Sequence, residues 1–526
     1  MFDSFFKRVS AAPTNPTHHA ATREFDVAEL YQGPVSVEPT TTTNSIALDE
    51  KLRQAYFWIV NHAIISPFYD IEYHEGAPQK YAFGERGHTV VLPTGQSYCS
   101  FVLLPLLTFA VRAKCLLVGG PGRGKTSSAV LMGVLAGYSI RDVRRAIQKG
   151  QPQMTVADLL GNPLPSDLIK AQSIDQIGIA WRKWLGMRVK IIDEYNRIPT
   201  RTQSALLTLM SDNYAELYDQ TFECPDAAWY LTANDDAGGG TYQVIEALRD
   251  RIDIVVKALH FNSRFLKDLL TRIEEGVRPE EMVPEEIIFT PEECDRLHRE
   301  IRKVPIPEAV MRRLEFFTSQ FEYCESAAVL FEYKTKDTIK LAALDWQQAT
   351  ATETGKDALK DVGTQTKNGI SVRAIMTTLA FVKAMAYFRG AAEVGLEDLR
   401  QVLPFVLHDK LVQDADCPFF EAADHAALRS DKVGWIRRMF DMACAEYDRL
   451  ELDRDDPVAR LTQQFEAGLE SLDSREVRKR IIEIEKLLKS WSGNRKFYGA
   501  MFDDVLKLKY LHQRYTNYLR WLEWKE

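Results

Sequence analysis

An apolar run, Cys115-Leu116-Leu117-Val118, opens directly onto Gly119-Gly120-Pro121-Gly122-Arg123-Gly124-Lys125-Thr126, and no other stretch constrains the fold as much. The eight residues satisfy GxxxxGK[ST] without deviation. Glycines let the backbone wrap so that its N–H groups face phosphate oxygens. The stretch that follows, with Val130, Leu131 and Val134, reads as a helix whose N-terminus favours anions. Gly119 to Thr126, with Ser127, are therefore the candidate nucleotide-binding residues. Lys125 is expected to reach the β- and γ-phosphates of ATP, and the Thr126 hydroxyl to ligate Mg2+. A glycine-rich turn that binds nothing is the competing reading of the loop alone.

Further apolar runs repeat the strand signal. Val189-Lys190-Ile191-Ile192 ends in Asp193-Glu194, Trp229-Tyr230-Leu231-Thr232 ends in Ala233-Asn234, and Ile252-Asp253-Ile254-Val255-Val256 follows later. Strands alternating with helices predict an α/β fold, a parallel sheet with helices on both faces. A carboxylate at a strand's C-terminal end beside the phosphate loop can hold Mg2+, and its neighbour can orient and polarise a water. Asp193 is assigned to the metal and Glu194 to the water; solvated turn residues are the alternative for such a pair in isolation. Asn234 serves either to hydrogen-bond the γ-phosphate or the water, or as a turn cap. Arg249 and Arg251 precede the last run; arginine suits the charge of a transferring phosphoryl group, and it also makes surface salt bridges.

The 526-residue chain carries a net charge of −8 and is 45% hydrophobic, enough for two to four units and a large core. The acidic balance argues against wholesale nucleic-acid coating. Seven scattered cysteines form neither a zinc pattern nor a disulfide framework, and read as buried free thiols in a reducing cytosol. The N-terminus shows no secretory signal, and the apolar stretch Phe101–Val111 is too short to span a bilayer, so a buried helix and a cytoplasmic location are expected. Residues 1–45, rich in Thr, Pro, Ala and Ser, read as a mobile arm. Helices are expected at Asp49–Ala63, 97–112, Pro291–Arg302, Pro307–Phe317, 371–389 and 396–410, a strand at Thr89–Pro93, a polar insertion at 325–368, and helix throughout from 432. The tail 474–526 mixes Lys and Arg with Tyr510, Tyr515, Tyr518, Trp521 and Trp524. Such mixing marks either nucleic-acid binding or an amphipathic helix pair with aromatics inward; the second is favoured, as a hairpin that docks on the rest or holds a partner.

Taken in order, these elements resemble an AAA+ ATPase, and in finer detail the MoxR family. The resemblance rests on Asp193-Glu194-Tyr195-Asn196-Arg197-Ile198-Pro199 with Thr202-Gln203-Ser204-Ala205-Leu206-Leu207, on Thr232-Ala233-Asn234 with Gly240-Thr241-Tyr242 and Glu246-Ala247-Leu248-Arg249-Asp250-Arg251, and on Ile370-Ser371-Val372-Arg373-Ala374 with Arg389-Gly390 and Gly395-Leu396-Glu397-Asp398-Leu399. It covers about 95–412. It implies that Asn234 is sensor 1, that Arg251, with Arg249 as second choice, is the finger acting on a neighbouring subunit, and that Arg373 is sensor 2. It further implies a homo-oligomeric, hexameric ring, and a protein client or a von Willebrand factor A domain partner. Met154–Ser173 stands where the family carries an insert that can face the pore; substrate threading and a packing hairpin are both open there. Ile252 and Val372 replace the family's Phe and Pro.

The resulting organisation is an arm (1–45), an AAA+ α/β nucleotide-binding subdomain (46–262), a helical lid (263–412) and a C-terminal helical domain (413–526). Three functions compete: an ATPase that remodels, matures or activates a protein, a nucleic-acid-stimulated motor such as a helicase or McrB-like restriction NTPase, and a nucleotide-gated scaffold. The acidic charge and the lid resemblance count against the motor, and intact Lys125, Asp193, Glu194 and Arg251 count against the scaffold.

Overall fold

Four short apolar strands and a two-residue polar edge strand build one parallel sheet: β1 (Lys114–Val118), β2 (Gln148–Lys149, the polar one), β3 (Val189–Asp193), β4 (Ala228–Ala233) and β5 (Ile254–Lys257), in the spatial order β5-β1-β4-β3-β2. The computed structural model describes residues 47–84, 88–164, 177–234, 246–258, 261–321, 362–422, 425–453, 456–492 and 500–525. The expected arm, the Gly240-Thr241-Tyr242 segment and nearly all of the 325–368 insertion lie outside them.

Strands β1, β3, β4 and β5 are apolar on both faces because both faces are covered. Cys115, Leu117, Ile191, Tyr230, Ile254 and Val256 share one core with the helices, whereas Leu116, Ile192, Trp229, Leu231 and Val255 share another with Trp184, Leu206 and Leu209. The helices include α1 (Leu48–Trp58), α2 (Ser100–Val111), α3 (Lys125–Leu135), α4 (Thr200–Asp212), α5 (Glu246–Arg251), α6 (Pro291–Arg302), α7 (Glu308–Ser319), α8 (Val372–Phe388), α9 (Leu396–Leu407), α10 (Lys432–Arg449), α11 (Pro457–Glu466), α12 (Ser474–Trp491) and α13 (Ala500–Lys525). The apolar stretch expected to be a buried helix is α2, buried through Ala110. The Asp70 carboxylate accepts from its first N–H at 2.9 Å and from the Ser100 hydroxyl at 2.7 Å, a cap from distant sequence. No described helix is long and apolar enough to cross a membrane.

Helix α1 packs on the helices beyond the sheet. Arg53 Nη1 donates to the Phe388 carbonyl at 2.9 Å, and Lys51 Nζ to Glu293 at 2.8 Å. Tyr56, Tyr98 and Phe388 pack edge to face. The sequence-expected helix Asp49–Ala63 is α1 continued by a π turn, Ile59–Ala63. Strand Thr89–Pro93 is realised as His88–Leu92, paired with Gln79–Phe83. The helix expected at 97–112 starts at Ser100, because Ser97–Tyr98 pairs instead with Ile71–Glu72.

Two expectations for the tail need correction. It is not helical throughout from 432: turns follow α10 and α11, the first with Glu451 and the second with Gly468 at positive φ. Nor do all its aromatics face inward. Leu508, Leu511 and Tyr515 sit on one stripe of α13 and are fully buried with Val477 and Ile484 of α12. Tyr510, Trp521 and Trp524 fall on a second stripe at helical spacing, and Trp524 is 83% exposed.

Candidate nucleotide site

The carboxyl ends of β1, β3 and β4 converge on one edge of the sheet, where doubly wound folds bind ligands. From β1 the chain turns through Gly119, Gly122 and Gly124, all at positive φ, into α3. At Gly119 a Cβ would lie 3.0 Å from both the Cβ and the carbonyl of Ala258, so the loop is held against the end of β5. Arg123 Nη1 donates to the same carbonyl at 3.1 Å.

Lys125 is buried, its ammonium donating to the carbonyls of Gly119 (2.5 Å) and Gly120 (2.8 Å) and to Asn234 Oδ1 (3.0 Å). Asn234 Nδ2 donates to Glu194 Oε1 at 3.2 Å, and Arg197 Nη1 stands 3.3 Å from Glu194 Oε2. The two oxygens of Glu194 are thus held from opposite sides. Thr126 Oγ1 donates to Asp193 Oδ1 at 2.9 Å, and the buried Thr232 hydroxyl donates to the same oxygen at 2.6 Å. Thr232 Oγ1 in turn accepts from the Glu194 N–H at 2.9 Å. Glu194 has φ 54°, a left-handed backbone that costs a non-glycine residue about 1–2 kcal/mol. This conformation turns its side chain away from the strand path and toward Asn234.

The loop residues Gly119 to Ser127 therefore stand with Asp193, Glu194 and Asn234 in one constellation. Its donor set suits a nucleotide triphosphate and Mg2+: an ammonium beside a glycine loop at a helix start, and a hydroxyl 2.9 Å from a carboxylate. Among the described residues no group of three or more His, Cys, Asp or Glu converges to hold a metal, so Thr126 and Asp193 are the candidate ligands.

The three candidate arginines lie apart from this cluster. Arg251 contacts Ser211 at the end of α4, and Arg373, at the start of α8, pairs with Asp250. Arg249 is exposed and faces Asp409; burial pushes that carboxyl up, but His408, Lys432 and Arg249 together hold it below the usual carboxylate range.

Several contributors had no role in the sequence reading. Thr232 and Arg197 lie inside the strand-end motifs, but nothing in their spacing marks them as contacts of Asp193 and Glu194. Gly150 follows the edge strand β2, donates its N–H to the Asp193 carbonyl at 2.7 Å, and would bring a Cβ to 2.2 Å from the Glu194 carbonyl oxygen. Asp253 accepts from the Lys114 N–H at 2.9 Å and from Thr377 Oγ1 of α8 at 2.8 Å, tying the sheet to the helical layer. A glycine after an edge strand is the faint signal for the first, and a charged residue inside an apolar run the signal for the second.

The family described as "ATPase family associated with various cellular activities (AAA)" matches residues 114–254, and the AAA lid domain matches 359–427. Chaperone MoxR1 of Mycobacterium tuberculosis is 24% identical over 227 residues, 43% of this chain and 51% of that protein, so the chain spans about half the length of the curated relative it matches. The crystal structure of a candidate ATPase from Cytophaga hutchinsonii aligns with a TM-score of 0.44 and 16% identity, covering 73% of this chain and 94% of that one.

Proposed function

We infer that this chain, a MoxR-like AAA+ ATPase, couples Mg2+-dependent ATP hydrolysis to the remodelling, maturation or activation of a protein partner. The observation that carries the reading is the unbroken chain of contacts from Lys125 through Asn234 to Glu194 across three strand ends. Lys125 and the loop N–H groups bind the β- and γ-phosphates. Thr126 and Asp193 would hold Mg2+, which when bound neutralises phosphate charge. Glu194 takes a proton from the attacking water, its carboxylate aimed by Asn234 and Arg197. Asn234 touches both the phosphate-binding ammonium and the base, and so reports the state of one to the other.

The resemblance further supports a ring, hexameric as is typical of the family, in which Arg251 (or Arg249) completes the site of the adjacent subunit and Arg373 acts from the lid. A von Willebrand factor A domain protein is the partner that the same resemblance suggests. The test is a pull-down with Glu194→Gln loaded with ATP, with particle size measured on the same sample. A ring-sized particle carrying a specific protein, and losing it in ADP, supports the reading. A ring carrying only nucleic acid, or a monomer carrying nothing, overturns it.

A further inference from the structure

We propose that the C-terminal helical bundle carries a recognition cleft for a short acidic peptide segment of a protein partner. The cleft, about 1010 Å3, opens between α11 and α12 and is walled by Arg460, Arg475, Arg478, Lys479, Arg480 and Lys486. Three of these cations are already compensated: Arg460 pairs at 3.0 Å with Glu483, the one carboxylate among the described residues of the cleft wall, Arg478 with Glu523 at 2.7 Å, and Arg480 bonds Gln464 and stands 3.7 Å from Glu483. They hold the walls of the cleft together. Arg475, Lys479 and Lys486 have no ion-pair or hydrogen-bond partner among the described residues, and all three are exposed.

These three uncompensated cations are arranged in order. Arg475, Lys479, Ile482 and Lys486 recur at i, i+4, i+7 and i+11 of α12, so they form one stripe. At 1.5 Å per residue the stripe runs about 16 Å, with its first two charges about 6 Å apart. An extended peptide places alternate side chains on one face about 6.6–6.8 Å apart. About six or seven extended residues therefore span the stripe, with the side chains of one face, at alternate positions, supplying carboxylates and one apolar group. Ile482, 49% exposed in the middle of the cationic row, matches an apolar side chain between the carboxylates.

The charge distribution favours a peptide over a nucleic-acid strand. Residues 474–526 hold thirteen Lys and Arg against seven Asp and Glu, a surplus of +6, so the other 473 residues carry −14. A phosphate backbone running past the bundle meets that acidic excess, whereas a short acidic segment ends within the cleft. A phosphate backbone also has no counterpart for Ile482. Cleft binding does not depend on hydrolysis, so the inference extends the remodelling function without resting on it.

The test is fluorescence anisotropy on the full chain with three labelled probes: a short peptide of alternating Glu around a central Leu, the same peptide with Gln for Glu, and a short oligothymidylate. Bases of the last could stack on exposed Trp524, beside Glu523. The acidic peptide is expected to bind at least about tenfold more tightly than the Gln peptide, the scale of three exposed charge pairs. The triple change Arg475→Gln, Lys479→Gln and Lys486→Gln should lose about that factor, and Ile482→Ser a smaller one, with basal ATPase unchanged. Lys479→Arg should keep binding, and Glu194→Gln should bind the peptide as the parent does, so failure of remodelling and failure of the cleft are read separately. Equal binding of the Gln peptide, no loss in either Ile482→Ser or the triple change, or tighter binding of oligothymidylate would overturn the proposal.

Discussion

Replacing Gly150 by alanine should disable hydrolysis while leaving nucleotide binding in place. Gly150 is not among the glycines at positive φ, so its backbone tolerates alanine and only space is at issue. The added Cβ would sit 2.2 Å from the Glu194 carbonyl oxygen, 2.9 Å from its carbon and 3.2 Å from the Asp193 carbonyl oxygen. All three are backbone atoms, which cannot swing aside as a side chain does. Contacts under 3.0 Å essentially never occur for a real Cβ, so the Glu194 peptide or β2 must retreat by about 1 Å. Overpacking of this kind costs roughly 1–3 kcal/mol. The functional effect is larger, because the retreat drags the Glu194 carboxylate away from Asn234, and a 1 Å misplacement of a reacting group can cost about a hundredfold in rate. The phosphate loop belongs to β1 and α3 and keeps its contacts with Ala258. Gly150→Ala should therefore show kcat roughly a hundredfold down and ADP affinity within a few-fold of the parent, by steady-state ATPase assay and titration with a fluorescent nucleotide. Parent-like hydrolysis at an unchanged thermal midpoint would refute the claim that this close approach positions Glu194.

Other perturbations read different parts of the same architecture. Glu194→Gln should lose about a hundredfold or more in hydrolysis, the scale of a general base, while still retaining ATP on a gel-filtration column. Asp253→Ala strips a buried carboxylate from the Lys114 N–H and from Thr377, and should cost about 2–4 kcal/mol in urea unfolding. Lys190, in the middle of β3, is buried beside Trp229 with its ammonium donating to the Met187 carbonyl, and burial pulls its pKa down to about 8. Below pH 8 the lysine is charged in both folded and unfolded chains and its full penalty is present; between pH 8 and about 10.4 the unfolded chain binds more protons, so this group's contribution to stability rises with pH. Lys190→Met should accordingly raise the thermal midpoint at pH 7, with the gain shrinking toward pH 10 in thermal scans across that range.

What could be read from the sequence was local. Cys115 to Val118 and the glycines after it announce a strand and a phosphate loop because apolar run, glycines and helix are contiguous. Asp193, Glu194 and Asn234 stand out because a polar residue closing an apolar strand has few other reasons to be there. Thr232 carries no such signal. Its role depends on β4 lying parallel beside β3, a pairing of segments 39 residues apart that lets its hydroxyl reach both Asp193 and the Glu194 N–H. Gly150 gives only a faint signal for the same reason: its constraint is a neighbour across β2 and β3. The turns that break the tail were hidden because the charges and aliphatic residues on either side keep helical spacing. The exposed Trp524 was misplaced because composition counts aromatics without saying which stripe they occupy.

The contacts of Asp250 and Asp253 give the lid a physical connection to the site. Asp250 ends α5 and holds Arg373 and Ser371 at the start of α8; Asp253, three residues on, holds Thr377 two turns along from Ser371 on the same helix. The same Asp253 accepts from the N–H of Lys114, the first residue of β1, whose other end runs into the phosphate loop. A shift of α8 therefore pulls on both ends of the segment Asp250 to Asp253, which carries Arg251 and directly follows Arg249, and on the strand that feeds Gly119. Rigid strands transmit such a displacement with little loss, since close-packed interiors do not absorb strain by local compression. A movement of the lid would thus have a short route to the two arginines proposed to act on a neighbour. That route runs through two carboxylates rather than through the phosphate loop itself.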